Sequence, residues 1–295
     1  MLAYRHAFHA GNHADVLKHL VLTLLLAHLN EKEKGWRYVD THAGAGGYSL
    51  AGTYALKHRE FDHGIGRLVA PRKAAQALPA PLRAYVDLVR QFDQDAHRAA
   101  GASLGQYPGS PAFARMLMRP QDQLRLFELH PTEHKILESY LGGEPGCEVR
   151  LSDGYDSLKS VLPSPTRRGL TLIDPPYELK ADYARALGAL REALTRFPEG
   201  IVMVWVPQVQ LVEAAQLPQR LKAAATAQAR KGWLHARLTV AEGGARGFGL
   251  LGSSVFIANP PHTLAGVLQP LLPWLARELA QFEGAKGSVE KSASA

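Results

Sequence analysis

The chain has 295 residues, of which 46% are hydrophobic and 21% charged, so it can bury a sizeable core and is not intrinsically disordered. Its length suits one large domain or two small ones. Lys and Arg number 34 against 27 Asp and Glu, and this net charge of +7 favours a polyanionic partner, nucleic acid first, although many basic enzymes bind none.

The single cysteine, Cys147, excludes a disulfide within the chain and a CxxC zinc site, and it favours a reducing compartment. The longest apolar stretch, Leu20 to Leu29, carries Thr23 and His28 and is too short to cross a bilayer. The first residues lack the apolar run of a signal peptide. We therefore expect a cytoplasmic globular protein.

A first helix is predicted from Asn12 or His13 to Lys32, with leucines at helical spacing and Gly35 to end it. Short apolar runs follow, each closed by turn residues and most of them followed by a helical pattern. These predicted strands are 37–40, 124–128, 148–151, 170–174 and 201–206, with a final strand pair at 234–240 and 254–257. This alternation predicts an α/β fold with a mostly parallel twisted sheet flanked by helices.

The interval after the first strand breaks this rhythm, because it has no convincing strand and carries an apolar helical face. We predict a helical insertion over about residues 50–101, within one domain that spans residues 1–282. Residues 283–295 have no apolar period, so we expect them to form a mobile tail.

Four of the predicted strands end at, or just before, an acidic residue. The four residues are Asp40, Glu128, Asp153 and Asp174. The carboxyl ends of the strands in an open α/β sheet form the ligand-binding edge. Four carboxylates there predict a ligand with positive charge and many hydroxyl and amine donors.

The first strand leads into a glycine-rich turn, Thr41 to Gly47, which lets the backbone approach a ligand closely. The turn is not a dinucleotide fingerprint, because Ser49 occupies the position of the third glycine. The chain also lacks a G-x-x-x-x-G-K-[ST] phosphate loop. By itself, the turn is equally compatible with a purely structural role.

The segment Asp174-Pro175-Pro176-Tyr177 at the end of an apolar strand is typical of methyltransferases that act on the exocyclic amines of bases. Such an amine is a poor nucleophile, because its lone pair is delocalised into the ring. A carboxylate and a backbone carbonyl can accept its two N–H groups, and two prolines present no backbone donor. The Tyr177 ring offers a stacking surface for an extruded base. The alternative is that the prolines merely end the strand and Tyr177 lies in the core.

The run from Tyr4 to His19 is rich in histidine and leaves three interpretations open. His9 and His13 could ligate zinc if both lay on one helix, but Gly11 and Asn12 between them oppose this. The histidines could instead be solvated and the polar residues caps. The third interpretation is a segment on the catalytic face, over the cofactor.

The chain is similar to the bacterial RlmJ (YhiR) family of 23S ribosomal RNA adenine-N6 methyltransferases over nearly its whole length. The motifs that carry the resemblance are YRHAFHAGNHADVLKH at the start, DTHAGAGGY, YPGSP at 107–111, ELHP at 128–131, DG at 153–154, RRGL at 167–170, IDPPYE at 173–178 and NPP at 259–261. The helical insertion and the C-terminal tail carry the weakest resemblance.

The resemblance implies a Rossmann-like class I methyltransferase with S-adenosylmethionine as methyl donor and no metal. The cofactor pocket that it implies comprises His19, His42, Ser110, Glu128, Asp153, Gly154 and Asp174. Ser110 precedes a proline, so its alternative role is that of a helix N-cap. The catalytic residues that the resemblance implies are Asp174, Tyr4, His6, Lys18, Pro175 and Tyr177.

The partner that the resemblance implies is 23S ribosomal RNA, and we expect a monomer with neither a membrane partner nor an obligate protein partner. Two other functions stay open: a DNA adenine or cytosine amino-methyltransferase, and a non-catalytic RNA-binding module on this fold. The small insertion counts against the first, and the intact glycine turn and DPPY segment count against the second. Arg167, Arg168 and Arg246 are candidate phosphate contacts.

Overall fold

The computed structural model describes residues 6–71, 77–95, 104–243 and 249–293. The strands in these ranges are β1 (Arg37–Asp40), β2 (Gly47–Ser49), β3 (Gln106–Pro108), β4 (Gln123–Glu128), β5 (Cys147–Leu151), β6 (Gly169–Ile173), β7 (Ile201–Gln208), β8 (Trp233–Thr239), β9 (Gly252–Ala258) and β10 (Lys286–Lys291). The α-helices are α1 (His13–Asn30), α2 (Thr53–His58), α3 (Ile65–Val69), α4 (Ala80–Asp95), α5 (Ser110–Leu117), α6 (Pro131–Leu141), α7 (Gly154–Val161), α8 (Lys180–Arg196), α9 (Val212–Gln228) and α10 (Leu264–Leu279). Two 3₁₀ helices, His6–Phe8 and Glu60–His63, complete the described secondary structure.

Eight strands form one sheet in the order β10-β8-β9-β7-β6-β1-β4-β5. Strands β5, β4, β1, β6 and β7 pair in parallel, whereas β9, β8 and β10 add on antiparallel. Separate hydrophobic clusters pack on the two faces of the sheet. The predicted α/β fold is confirmed, and the chain reverses its direction of travel across the sheet at β1, where such folds bind ligands.

Helix α1 crosses one face of the sheet and carries the N-terminal segment to its ligand-binding edge. The Asn12 side chain accepts hydrogen bonds from the backbone N–H groups of Ala14 and Asp15, at 2.9 and 3.0 Å, and so caps the helix. Leu17, Leu20 and Leu25 are fully buried, because α1 packs against β9 on one side and against α4 and α5 on the other.

The predicted insertion contains α2, α3 and α4, and the buried residues of α3 and α4 join the core around α1. A two-stranded antiparallel ribbon of β2 and β3, which the sequence did not predict, frames it. Strands of three residues are too short to display a period of two, so only their pairing identifies them.

The prediction of a mobile tail is wrong for residues 286–291. These form β10, which pairs antiparallel with β8 along its whole length at the edge of the sheet. Gly287 lies so close to the Leu272 carbonyl of α10 that a Cβ could not fit. No helix in the described part of the chain is long and apolar enough to span a membrane.

Candidate active site

A cavity of about 840 Å³ opens at the carboxyl ends of β1, β4 and β6. Glu128, Asp153 and Asp174 line it together with the glycine turn, the start of α1 and the DPPY segment. Its size lies within the usual range for small-molecule sites, about 300–1,000 Å³. Three of the four predicted strand-end carboxylates therefore come together.

The fourth carboxylate, Asp40, lies beneath this cavity and is fully buried. Its Oδ2 accepts hydrogen bonds from the hydroxyls of Tyr38 and Ser110, each at 2.7 Å, and its Oδ1 accepts the His42 backbone N–H at 3.2 Å. Burial raises the pKa of Asp40 to about 6 against these hydrogen bonds. The prediction that Asp40 contacts a ligand at this edge of the sheet is therefore wrong, because its oxygens accept hydrogen bonds from within the protein.

Ser110 is also not an N-cap, because α5 is capped by Gly109 and Ser110 is its first residue. Its hydroxyl joins α5 to the end of β1 through Asp40. The residue still lines the cavity.

The glycine turn and Glu128 form one hydrogen-bonded unit. Glu128 Oε2 accepts the Gly44 backbone N–H at 2.8 Å, and Oε1 accepts the His130 N–H at 2.7 Å. Gly44 and Gly46 have φ values of +62° and +84°, a conformation that glycine adopts without strain. Burial raises the pKa of Glu128, which these hydrogen bonds oppose.

Asp153 and Gly154 start α7 close to the end of β1. The Asp153 carboxylate caps the helix, accepting the Tyr155 N–H at 3.0 Å, and pairs with Arg185 at 2.7 Å. A Cβ at Gly154 would collide with the Thr41 carbonyl oxygen, so only glycine permits this approach.

His42 and His19 are the two cavity-lining imidazoles that the resemblance assigned to the cofactor. The His42 ring meets the Tyr155 ring edge-on at 4.7 Å, and burial lowers its pKa to about 4. His19 Nδ1 lies 2.8 Å from the Tyr107 hydroxyl, and burial lowers its pKa well below the usual range. Both rings are neutral at pH 7.

Asp174 belongs to a chain of charged groups that runs back to the N-terminal segment. Lys18 Nζ lies 2.7 Å from Asp174 Oδ2 and 2.9 Å from Asp15 Oδ1. His6 Nε2 lies 2.9 Å from the other Asp15 oxygen. Burial opposes the charge of Lys18, but the two carboxylates raise its pKa above the usual value. The ammonium is therefore held protonated beside Asp174.

Tyr177 is a core residue that also lies at the wall of the cavity. It is 8% exposed and belongs to the core, its hydroxyl donates to the Trp205 carbonyl at 2.7 Å, and its ring lies 4.6 Å from that of Tyr183. It also lines the cavity, as do Pro175 and Pro176. Its φ of +52° is strained for a non-glycine residue, which sets the direction of the turn after the prolines.

The model of the RsmJ family, described as "Ribosomal RNA large subunit methyltransferase D, RlmJ", matches residues 33–290. The chain belongs to this family. It is 40% identical over 279 residues to "Ribosomal RNA large subunit methyltransferase J" of Escherichia coli K12, covering 95% of this chain and 94% of that one. The identity to the Haemophilus influenzae Rd protein of the same name is 38% over 290 residues, or 98% of both chains.

A solved structure from Legionella pneumophila Philadelphia 1 has the same fold. Its TM-score is 0.81 at 31% identity, over 97% of this chain and 98% of that chain. Family and fold together make the chain a Rossmann-like class I methyltransferase, for which S-adenosylmethionine is the methyl donor. The cavity fits that molecule, because buried carboxylate acceptors and a close backbone turn suit its hydroxyls, amines and positive charge.

The sequence analysis missed several charged residues that line the cavity: Asp15, Glu60, Glu133, Glu178, Asp182 and Arg185. Asp15 faces Lys18 across one turn of α1, and a buried i,i+3 ion pair in an otherwise apolar helix was the available signal. Trp205 was also missed; its ring lies 5.8 Å from Lys18 Nζ and its carbonyl accepts a hydrogen bond from Tyr177. Nothing in the sequence around Trp205 marks it.

Of the predicted phosphate contacts, Arg167 and Arg168 do not line the cavity. Tyr4 and Arg246 lie outside the described residues. Arg167 pairs with Glu199, and Arg168 donates to the Leu29 carbonyl at 2.7 Å. Both precede β6, at the edge of the sheet opposite the cavity, so they are poorly placed to contact a nucleotide there.

The zinc interpretation finds no geometric support in the described ranges, where no three His, Cys, Asp or Glu residues form a group suited to a metal ion. His9 instead lies 2.9 Å from Glu60 of the insertion. The Asn12 amide donates to the same carboxylate at 2.9 Å. These contacts tie the N-terminal segment to the insertion beside the cavity.

Proposed function

We propose that the protein transfers a methyl group from S-adenosylmethionine to the N6 amine of an adenine in 23S ribosomal RNA. The observation that carries the proposal is the placement of Asp174 and its Pro-Pro-Tyr segment at the same cavity as Glu128 and the glycine turn. The names of the Escherichia coli and Haemophilus influenzae relatives support ribosomal RNA as the substrate.

When bound, S-adenosylmethionine supplies an electrophilic methyl group. The Asp174 carboxylate and the Pro175 carbonyl accept hydrogen bonds from the two N–H groups of the target amine. These bonds favour a tetrahedral nitrogen, whose lone pair is less delocalised into the ring and therefore more nucleophilic. The amine nitrogen would form the new C–N bond as the methyl C–S bond of the donor breaks and the demethylated donor leaves, and Asp174 would take one amine proton. Lys18 holds Oδ2 of Asp174 at 2.7 Å, so Oδ1 is the oxygen that meets the amine.

The cofactor residues take roles that follow from their hydrogen bonds. Each Glu128 oxygen already accepts one backbone N–H and keeps a second lone pair, which suits the two ribose hydroxyls. We assign His42, Asp153 and Gly154 to the adenine of the cofactor, and His19 and Ser110 to the same pocket. No metal takes part in this scheme.

The target base enters from the side of the N-terminal segment. We place Tyr4 and His6 at the target nucleotide and the Tyr177 ring beside the extruded base. Extrusion costs a few kcal/mol of lost stacking, which aromatic side chains offset by about 1–3 kcal/mol each. We further propose that the protein acts as a monomer in the cytoplasm, where ribosomal RNA is made and assembled.

The test is transfer of labelled methyl groups from S-adenosylmethionine to unmodified 23S rRNA, tRNA and duplex DNA, followed by nucleoside mass analysis. We expect N6-methyladenosine in 23S rRNA, with and without a chelator. Label in DNA alone would establish the DNA methyltransferase alternative. Cofactor and RNA binding without transfer would establish the non-catalytic alternative, and inactivation by the chelator would overturn the absence of a metal.

A further inference from the structure

The Asp15 carboxylate connects the start of the chain to the catalytic carboxylate. Asp15 is 2% exposed. Its Oδ1 lies 2.9 Å from Lys18 Nζ, while its Oδ2 lies 2.9 Å from His6 Nε2 and accepts the Gly11 backbone N–H at 2.9 Å. One buried carboxylate therefore contacts donors from three parts of the segment that precedes and begins α1.

Helix capping does not account for this carboxylate. Asp15 is the third residue of α1, where an acidic side chain usually serves the helix N-terminus. Here Asn12 already accepts the N–H groups of Ala14 and Asp15. The Asp15 oxygens turn away from the helix backbone, towards His6 and the Lys18 ammonium.

The Lys18 ammonium lies between two carboxylates in a buried setting. Its side chain is 5% exposed, and its contact with Asp174 at 2.7 Å is slightly shorter than that with Asp15. If Asp15 were neutral, Asp174 would be the only anion in the described part of the chain that pairs with this ammonium, and the ammonium would move fully towards it. The Asp174 oxygens would then lose the orientation that the target amine requires.

We propose that Asp15 is a positioning residue for methyl transfer: it fixes the Lys18 ammonium between its own carboxylate and that of Asp174, and it docks His6 at the same site. This inference rests on the proposed function. Asp15 acts through Lys18 and His6, which contact its two carboxylate oxygens. Its removal should therefore lower turnover more than cofactor affinity.

The test compares Asp15→Asn with Asp122→Asn, a matched control. Asp122 is equally buried, pairs with Arg119 at 2.9 Å and accepts the Trp36 backbone N–H at 2.9 Å, but it lies before β4, away from the cavity. We expect Asp15→Asn to lower kcat about 10- to 100-fold at saturating RNA and S-adenosylmethionine. The Kd for S-adenosylmethionine should change less than about threefold, and Asp122→Asn should keep the wild-type kcat per folded molecule.

A double-mutant cycle separates positioning from a general loss of structure. Because Asp15 acts through Lys18, Asp15→Asn should add little to the loss caused by Lys18→Met. Multiplicative losses would overturn the inference, as would a wild-type kcat for Asp15→Asn. Should Asp15→Asn not fold, Asp15→Glu takes its place in the same cycle, with the same expected non-additivity. If the wild-type protein methylates no nucleic acid, the proposed function fails first, and this inference fails with it.

Discussion

Asp40 and Asp174 lie at the ends of neighbouring strands but differ in their exposure to the cavity. Asp40 is fully buried and its oxygens accept three hydrogen bonds from the protein. Asp174 keeps 13% of its side chain exposed and contacts the Lys18 ammonium. Asp40 does not line the cavity and Asp174 does, so of these two carboxylates only Asp174 is accessible to a substrate amine.

Asp174→Ala should abolish detectable methyl transfer and leave the fold intact. The variant loses both the acceptor that orients the amine and the base that takes its proton, and general acid–base catalysis alone contributes about 10²–10⁴-fold. Asp174→Asn keeps the shape but cannot take up the proton, so it should also be severely impaired. Single-turnover rates and circular dichroism measure both effects, and near wild-type turnover in either variant would contradict the assignment.

Glu128→Ala should weaken the binding of S-adenosylmethionine more than any other single change at the cofactor carboxylates. A charge-assisted hydrogen bond is worth about 1.5–3 kcal/mol, and the glycine turn also loses its acceptor for the Gly44 N–H. Isothermal titration calorimetry gives the Kd. Glu138→Ala, on the exposed side of α6, is the control, and equal affinities for the two variants would rule out the role of Glu128.

At the scale of the element, the N-terminal segment is held beside the cavity by side-chain contacts and by a backbone hydrogen bond from the Ile65 N–H to the Gly11 carbonyl at 2.8 Å. His6 reaches Asp15, and His9 reaches Glu60 of the insertion. Deleting residues 1–9 should spare the fold and much of the cofactor affinity but strongly reduce methyl transfer to RNA. Thermal unfolding, calorimetry and the transfer rate test these three statements in turn; transfer at the wild-type rate would show that the segment is dispensable.

Strand β10 seals an edge of the sheet that would otherwise be open. Deleting residues 286–295 should expose the backbone donors and acceptors of β8, lower the melting temperature and promote aggregation. Light scattering and thermal unfolding measure this, with a chain that lacks only residues 294–295 as control. An unchanged melting temperature in the longer deletion would mean that β10 adds nothing to stability.

The sequence predicted the long elements and missed the short or polar ones. The buried strands β4, β6 and β7 are apolar runs bounded by turns, and their ends located the cavity. The residues of β10 are Lys-Gly-Ser-Val-Glu-Lys, with Val289 as the one apolar side chain, so only the partner strand reveals it as a strand. Local periodicity cannot report such a pairing.

The position of a motif at the cavity was predictable where the motif directly follows a strand, as for the DPPY segment and the glycine turn. The contacts of single side chains were harder to predict. Ser110, by contrast, precedes a proline in the sequence pattern of an N-cap, yet its hydroxyl bonds to Asp40, which lies 70 positions earlier. The role of Asp15 was hard to predict for the same reason, because its contact with His6 and its link to Asp174 through Lys18 form only in the folded chain.

At the scale of the whole molecule, acid should destabilise the protein through buried neutral histidines. Burial lowers the pKa values of His13, His42 and His235 to about 4, below the 6.5 of the unfolded chain. Their contribution to stability is thus present above pH 6.5 and lost as the pH falls towards 4, by up to about 3 kcal/mol each. Asp40 works in the opposite direction, because its pKa is raised.

Urea unfolding at pH 7.5, 6 and 5 tests the combined effect of these groups on stability. We expect the free energy of unfolding to fall steadily as the pH is lowered. His235→Leu supplies the control, because His235 lies on β8 away from the cavity. Its loss should make the pH dependence shallower without changing cofactor affinity. A stability independent of pH over this range would contradict the burial of neutral imidazoles.

Helix α1 has the sheet on one side and α4 of the insertion on the other, with Tyr85, Val86 and Val89 packed into the same core. The insertion is therefore an outer wall of the fold, and it cannot be cut away as an appendage. A chain that lost it would expose a leucine-rich helix to water and would tend to aggregate. Shortening the chain towards a minimal methyltransferase would thus require a new sequence for α1, and with it a new setting for Asp15 and Lys18.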